Sequence, residues 1–178
     1  MLILPFGGAI AVVAAWASPS FRAPWLAREM QEEAQVIGER VRSVMGAKNG
    51  TGYASLTTSM IARSKGLPAK WVQPRGGSGG IEWELLNPNG STIELAPTLD
   101  LKSGTANGAW TLAVTGISNS ECFLLATNGI GLDTFGLAIN GIGAPTEAQP
   151  LNTNPMPNKA DAEEACVRRY NAMTFYVR

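Results

Sequence analysis

The sequence predicts an α+β fold in which a long N-terminal helix, apolar in its first half, packs on an antiparallel sheet. An uncharged stretch over residues 1–21 leads into an amphipathic helical pattern. Strand-like segments separated by turn residues follow, and two cysteines stand in the second half of the chain. A length of 178 residues suits one domain with an appendage. We expect an N-terminal part over residues 1–24 and a globular domain over 25–178, whose first element is an amphipathic half-helix over 25–46.

The composition excludes several classes of function. Fourteen basic and fourteen acidic residues cancel and only 16% of residues are charged, so direct nucleic-acid binding is not expected. The chain has no histidine, which excludes Ser-His-Asp and Cys-His catalysis and removes the commonest metal ligand. We therefore expect no catalytic residue, no metal site and no cofactor.

The apolar start of the chain allows three interpretations. Ala15 and Ala17 resemble a signal-peptidase site, but a secretory signal begins with basic residues, and here the first cation is Arg22. The stretch just reaches the roughly 20 apolar residues that cross a bilayer as a helix. We expect it to be retained, as a membrane anchor or as a helix that packs against other copies of itself.

Prolines interrupt this apolar start. Pro5 lies in the first turn, where backbone N–H groups are unpaired in any helix. Pro19 and Pro24 fall inside what would otherwise be one continuous helix, and each removes a hydrogen bond there. We therefore expect the helix to break, or to run extended, between Ser18 and Pro24.

The half-helix after this break is amphipathic. Its apolar residues recur at spacings of three and four, which places them on one face. These residues are Leu26, Met30, Ala34, Ile37, Val41 and Val44. The charged residues are expected mainly on other faces; they are Glu29, Glu32, Glu33, Glu39, Arg40 and Arg42. The stripe predicts packing on the sheet, with an end at Gly46, whereas the apolar extension before it projects with nothing of its own to pack against.

A short helix and a glycine-rich segment are expected next. Leu56, Met60 and Ile61 have helical spacing, and Gly66 is placed to stop the helix. The segment 74–80 lacks the Gly-Lys-Ser/Thr that follows a phosphate-binding loop, so it is expected to form a hairpin-like loop.

The rest of the chain predicts a sheet with two further helical pieces. The Asn89-Gly90 pair predicts a tight turn within an antiparallel meander. The expected strands are 81–87, 91–97, 108–117, 134–141 and a terminal strand over 171–178 that points Met173, Phe175 and Val177 to one side. Between them we expect a helix over 118–127 that buries Cys122, a proline-rich surface loop over 143–158, and a short helical turn carrying Cys166.

The two cysteines favour a disulfide. An even number of cysteines in a chain with an apolar start is typical of an exported protein, so Cys122 and Cys166 are expected to pair. Two buried free thiols in a cytosolic protein are the alternative. A bond between them would attach the C-terminal strand to the sheet, and its loss would free the end of the chain.

The order and spacing of several segments resemble those of type IVb pilins, in particular the major pilins of conjugative thin pili and bundle-forming pili. The resemblance covers nearly the whole chain. Besides the apolar start, it depends on "GTGYASLTTSMIARSKGLPAKW", "NPNGSTIELAP", "LAVTGISNSECFLLA" and "ADAEEACVRRYNAMTFYVR".

The resemblance implies a lollipop-shaped fold with a twisted sheet. It also implies that the subunit is first anchored in a membrane and is then assembled into a filament. The subunit would first be anchored in the inner membrane, cleaved by a prepilin peptidase and N-methylated at Met1. The pilus assembly machinery would then build a homopolymer of identical subunits through their N-terminal helices, in an extracellular filament. Pro5 stands where the family usually keeps a glutamate. The implied filament-core residues are Leu2, Ile3, Leu4, Phe6, Ile10, Val12, Val13 and Trp16.

The function implied by the resemblance is that of a structural subunit of a pilus used in attachment or in stabilising mating pairs during conjugation. The alternative is a minor pilin or tip adhesin that binds a surface receptor. Such a protein would use the loop 143–158 or the side chains of Trp71, Trp83 and Trp110, which at strand spacing are more typical of a core.

An enzymatic interpretation has one candidate pair. Glu82 and Glu84 would lie on one strand face about 7 Å apart, a distance compatible with glycosidic chemistry. A solvated strand face explains the same pattern more simply, and the chain is not expected to be an enzyme.

Overall fold

A long helix is the main element of the layer that packs on the sheet. The computed structural model describes residues 19–46, 52–77, 80–143 and 157–178. Helix α1 covers Pro19–Gly46. The apolar face predicted from the sequence is the face that packs, because five of its six residues are buried and Val44 lies half-buried against the same core. Ala23, Ala27 and Met45 extend this buried stripe.

The predicted break between Ser18 and Pro24 is wrong over the part that the structure describes. The described part of α1, Pro19–Gly46, runs through Pro24 without interruption. Pro24 has no N–H to donate to the carbonyl oxygen of residue 20, so α1 lacks one hydrogen bond there. Packing of the long stripe outweighs that single bond. Residues 1–18, including the projecting apolar half, lie outside the described residues.

Among the described residues, six antiparallel strands form one sheet in the order β1-β2-β3-β4-β6-β5. Five of them were predicted, and the sixth, β1, overlaps the segment expected to be a loop. It pairs with β2 as a hairpin in which Gly77 faces Gly80, and its Pro74 is tolerated because β1 is an edge strand. The strands are β1 Val72–Gly77, β2 Gly80–Leu86, β3 Thr92–Asp100, β4 Thr105–Ile117, β5 Thr134–Ile139 and β6 Asn171–Val177.

In the described part of the chain, three shorter helices and a 3₁₀ turn belong to the same layer as α1. They are α2 Thr58–Ala62, the 3₁₀ turn Ala69–Trp71, α3 Asn119–Asn128 and α4 Lys159–Ala165. The core between the layers contains Trp110 and Phe175, both fully buried. Alternation along β6 buries Met173, Phe175 and Val177, as the sequence predicted.

The strand register gives the sheet two distinct ends. Ile117 of β4 pairs with Asn171 of β6 at the end where α1 begins, which we call the basal end. The opposite end, where Asp100 pairs with Thr105 and the β1–β2 hairpin turns, we call the distal end. Within the described ranges, no helix combines the length and the apolar character needed to cross a bilayer.

Gly52 fixes the approach of the segment after α1 to the sheet. Its φ is +55°, and a Cβ added there would lie 2.4 Å from the backbone oxygen of Asn107. We therefore expect Gly52→Ala to lower the free energy of unfolding by about 1–3 kcal/mol. Gly46→Ala is the matched control, because a Cβ at Gly46 meets nothing within 4 Å. Urea denaturation checks both variants, and equal stability of the two would contradict the expectation.

Candidate functional site

A disulfide lies at the basal end, between two helices. Cys122 on α3 and Cys166, the residue that caps α4, are bonded with a Cα–Cα distance of 5.7 Å, which confirms the predicted pairing. α3 starts with a capping box: the Ser118 hydroxyl oxygen accepts from the Glu121 backbone N–H, and the Glu121 carboxylate accepts from the Ser118 N–H. The same carboxylate accepts from the Asn89 side-chain amide in the turn between β2 and β3.

The expected role of this bond needs correction. β6 is not an edge strand held down by the disulfide, since it pairs with β4 on one side and β5 on the other. The bond instead joins α4 to α3, one layer above the sheet. The terminal strand therefore depends on two hydrogen-bond ladders, and the disulfide holds the helical corner.

Asn171 is a buried polar junction beneath this corner. Its side-chain amide nitrogen lies within hydrogen-bonding distance of the carbonyl oxygens of Arg168 and Ile117, at 2.9 and 3.3 Å. Its side-chain oxygen accepts from Asn140, whose amide also reaches the carbonyl oxygen of Ala165. One side chain thus connects β4, β5 and the segment that leaves α4.

We expect Asn171→Ala to cost about 2–3 kcal/mol of unfolding free energy, because Asn140 and two carbonyl groups then lose a buried partner. Exposed Asn128 at the end of α3 offers a control whose replacement by Ala is expected to change stability by less than about 0.5 kcal/mol. Thermal unfolding at one pH measures both. A smaller loss for Asn171→Ala than for the control would contradict this role.

A shallow open groove of about 410 Å³ runs beside the disulfide. Its apolar wall comes from Ala23 and Pro24 at the start of α1 and from Phe123 and Leu124 on α3. Asn119, Ser120 and Glu163 provide polar groups, and Cys166 completes the lining.

Large exposed apolar side chains concentrate at the same end. Among the described residues, five large apolar or aromatic side chains are exposed, and four of them lie at the basal end. Trp25 is 61% exposed one residue after the groove-lining Pro24, and Val167 and Tyr170 follow Cys166. Ile142 follows β5, whose last residue, Ile139, pairs with Met173 at the start of β6. The fifth residue, Ile81, is at the distal end.

Glu33 is the most unusual ionisable group that the structure describes. The sequence placed it off the buried stripe, but it is 0% exposed, and neither carboxylate oxygen has a hydrogen-bond partner among the described residues. Burial raises the pKa of Glu33 to about 8, the Glu29 carboxylate one turn earlier adds to the rise, and Lys70 on the 3₁₀ turn opposes it. Lys70 is held by Glu29 in an ion pair. Its hydrogen bond to Glu29 raises the pKa of Lys70.

The other predicted residues have simpler surroundings. Trp71 and Trp110 are buried and Trp83 packs against the core, which leaves little of them for a receptor. Glu84 accepts hydrogen bonds from Arg75 and Gln73 on the solvent side of the β1–β2 hairpin. In the ranges that the structure describes, acidic and cysteine side chains form no group able to hold a metal ion.

Several predicted residues lie outside the described residues. They are Met1, most of the loop 143–158 and the whole filament-core set, Leu2, Ile3, Leu4, Phe6, Ile10, Val12, Val13 and Trp16. Pro19 and Pro24 lie within α1, as described above.

Sequence reasoning missed Glu33, Asn171 and the exposed Trp25. A signal for Glu33 was present, because it stands three residues after Met30 and four before Ile37, the spacing of the buried stripe itself. Asn171 is the first residue of a strand with alternating burial, two positions before buried Met173. The position of Trp25 on the outer side of α1 follows from the same stripe.

Comparisons with known proteins agree with this arrangement. The chain is similar to a solved structure described as the crystal structure of type IV b pilin from Salmonella typhi, with a TM-score of 0.56, 20% identity, and coverage of 84% of this chain and 97% of that one. That likeness supports the fold: a helix on an antiparallel sheet. A search among curated proteins finds no match. The family model named Bundlin matches residues 33–173, most of the chain. The chain therefore belongs to the Bundlin family and is a type IVb pilin.

Proposed function

We propose that this pilin is the repeating structural subunit of its filament, which serves attachment or the stabilisation of mating pairs during conjugation. Pilins are structural proteins that assemble into multi-subunit extracellular pili. The observation that supports a core role for the N-terminal segment is its composition: residues 1–18 carry no charged side chain. The apolar face of α1 that follows them is buried within the domain. We infer that the apolar residues before Pro19 are buried between subunits in the filament.

In this proposal the subunit is anchored in the membrane before it is assembled into the filament. Residues 1–18 first hold it in the inner membrane, where a prepilin peptidase cleaves it and Met1 is methylated. The assembly machinery then transfers these residues into the filament core. Pro5 in place of the usual acid means that the N-terminal amine needs another partner or a position near solvent, since an unpaired buried charge is costly.

Electron microscopy of filaments sheared from cells tests the subunit role directly. Gold-labelled antibody against the globular domain should decorate the filaments along their length, as expected for a repeating subunit, whereas a minor pilin would give labels only at tips or rare points. The intact mass of the filament protein would report cleavage, methylation and the disulfide together.

A charged substitution tests the core role of the N-terminal segment. Val12→Arg should abolish filaments, because an arginine in an apolar helical core loses its hydration. Ser43→Arg on the exposed side of α1 is the matched control and should leave filaments intact. Normal filament yield from Val12→Arg would refute the core role.

A further inference from the structure

Asparagine is followed by glycine at five positions of this chain, a pair that can lose the asparagine side-chain amide without an enzyme. The backbone nitrogen of the glycine attacks the amide carbon, since glycine has no side chain to obstruct the approach. Hydrogen bonds that hold the attacking nitrogen or the amide suppress this reaction. The last four of these pairs lie among the described residues; the five are Asn49-Gly50, Asn89-Gly90, Asn107-Gly108, Asn128-Gly129 and Asn140-Gly141.

Hydrogen bonds hold the attacking nitrogen in two of the described pairs. The Gly90 N–H donates to the Asn87 carbonyl oxygen at 2.8 Å. The Gly129 N–H donates to the Leu125 carbonyl oxygen at 2.9 Å, at the end of α3. The side-chain amide of Asn89 is held as well, by the carboxylate of the capping box of α3. Attack in either pair must first break such a bond, which raises the barrier.

Hydrogen bonds hold the whole side chain of Asn140. Its amide nitrogen donates to the carbonyl oxygen of Ala165 at 3.1 Å and to the side-chain oxygen of Asn171 at 2.9 Å. Its side-chain oxygen accepts from the Ala172 N–H at 3.1 Å. The side chain therefore cannot rotate towards Gly141 without losing these three hydrogen bonds.

The Asn107-Gly108 pair has neither restraint. Residues 106–108 have no register partner on either side of β4, so no ladder holds the backbone nitrogen of Gly108. The Asn107 side chain is half-buried and makes no hydrogen bond to another of the described residues. Its backbone has a φ of +56°, and its carbonyl oxygen accepts from the Tyr53 N–H at 2.7 Å. Both the amide carbon and the attacking nitrogen are thus available at this one pair.

We propose that Asn107 is a site of spontaneous deamidation, with water as the co-reactant. The backbone nitrogen of Gly108 forms a bond to Cγ of Asn107 and gives up its proton. The bond from Cγ to the side-chain nitrogen breaks, and that nitrogen leaves with the proton as ammonia. The Asn107 carbonyl oxygen stays outside the resulting succinimide ring, so the hydrogen bond from Tyr53 can persist. Water then opens the ring, at Cγ to give aspartate or at the main-chain carbonyl carbon to give isoaspartate.

The two products differ in their effect on the protein. Aspartate leaves the main chain as it is and adds one negative charge to a chain whose formal net charge is zero at pH 7. Isoaspartate lengthens the main chain by one carbon beside Gly52, where an added Cβ would lie 2.4 Å from the Asn107 oxygen. We therefore expect isoaspartate, and not aspartate, to destabilise the fold. The modification is a property of the chain and does not depend on the filament role.

Peptide mapping of the full chain tests the site. The folded protein is kept at pH 8 with its disulfide intact, and samples taken over time are digested at acidic pH. Mass spectrometry then measures the loss of the amide at each of the four described pairs. We expect Asn107 to react about tenfold faster than any of the other three, which corresponds to roughly 1.4 kcal/mol of activation free energy. In urea with the disulfide reduced, the four sites should react at similar rates, because glycine follows each of them.

Isoelectric focusing provides a second readout, in a chain that carries Asn49→Gln so that the pair outside the described residues does not contribute. Asn107→Gln should prevent the first acidic form from appearing, because the longer side chain would have to close a larger ring. Asn128→Gln is the matched control and should leave that form unchanged. Equal rates at the four sites of the folded chain, or a faster reaction at another of them, overturn the proposal and leave the subunit role standing. Absence of the chain from filaments would remove the subunit role and leave deamidation at Asn107 as it is.

Discussion

Replacing Glu33 by Gln is expected to make this pilin more stable at pH 8 and to flatten the decline of its stability between pH 5 and pH 8. Glu33 is 0% exposed, and within the part of the chain that the structure describes both of its carboxylate oxygens lack hydrogen-bond partners. An ionised carboxylate is costly in such surroundings, so the folded protein keeps the proton up to a pKa of about 8. The unfolded chain releases it near the ordinary value of 4.5.

The sign follows from proton linkage. Between pH 4.5 and pH 8 the folded state binds more protons than the unfolded state, so the free energy of unfolding falls as pH rises. The size is on the order of 3 kcal/mol between pH 5 and pH 8, taking about 1.4 kcal/mol for each pH unit over most of that interval. The charged groups that act on Glu33 are Glu29 on its own helix, which disfavours ionisation, and Lys70 on the 3₁₀ turn, which favours it.

Urea denaturation at pH 5, 6, 7 and 8 measures this, with the disulfide intact throughout. The difference in the free energy of unfolding between wild type and Glu33→Gln should change steadily from pH 5 to pH 8. Glu32→Gln is the matched control: this neighbour is exposed and paired with Arg28 on the surface, so its removal should leave the pH dependence as it is. If the free energies of unfolding of wild type and Glu33→Gln depended on pH in the same way, Glu33 would be ionised in the folded protein.

Removing the disulfide by Cys122→Ala with Cys166→Ala is expected to lower the free energy of unfolding by about 4–5 kcal/mol. The bond closes a loop with a sequence separation of 44, for which chain entropy gives about 4 kcal/mol. Both cysteines are buried, so truncation of their side chains adds a smaller packing loss.

Removing the disulfide should also destabilise one particular part of the structure, the region of α4. Because β6 pairs on both sides, hydrogen exchange in the variant should accelerate first in α4 and only later in β6. Ser120→Ala with Val167→Ala, exposed neighbours of the two cysteines, is the control and should leave exchange in α4 unchanged. Earlier exchange in β6 than in α4 would mean that the bond holds the strand after all.

The elements that sequence could predict are those whose signal is local and periodic. The α1 stripe, the Asn89-Gly90 turn and the alternation along β6 all depend on spacing that a helix or strand imposes directly. The turn forms with the Gly90 N–H donating to the Asn87 carbonyl oxygen at 2.8 Å, and Gly90 has a φ of +78°.

The features that sequence could not predict depend on neighbours far along the chain. β1 reads as a loop because it contains Pro74 and ends in glycines, and pairing with β2 is what makes it a strand. α1 continues through Pro24 because it buries a long apolar stripe against the rest of the domain. The local preference of proline against helix interiors does not take this burial into account. Glu33 is fully buried, and Lys70, whose charge lowers the pKa of Glu33, stands 37 residues further along the chain. The groove needs the start of α1 beside α3 and α4, a contact that only the tertiary fold creates.

The interior position of β6 has a consequence for the order of folding. β6 follows both β4 and β5 in the chain but lies between them in the sheet, so among the described strands β5 has no partner until residues 171–177 are in place. Without β6, two strand edges would be unpaired, the kind of surface that aggregates. The sheet therefore closes only when residues 171–177 insert, and a chain that lacks this strand would lose the junction between β4 and β5.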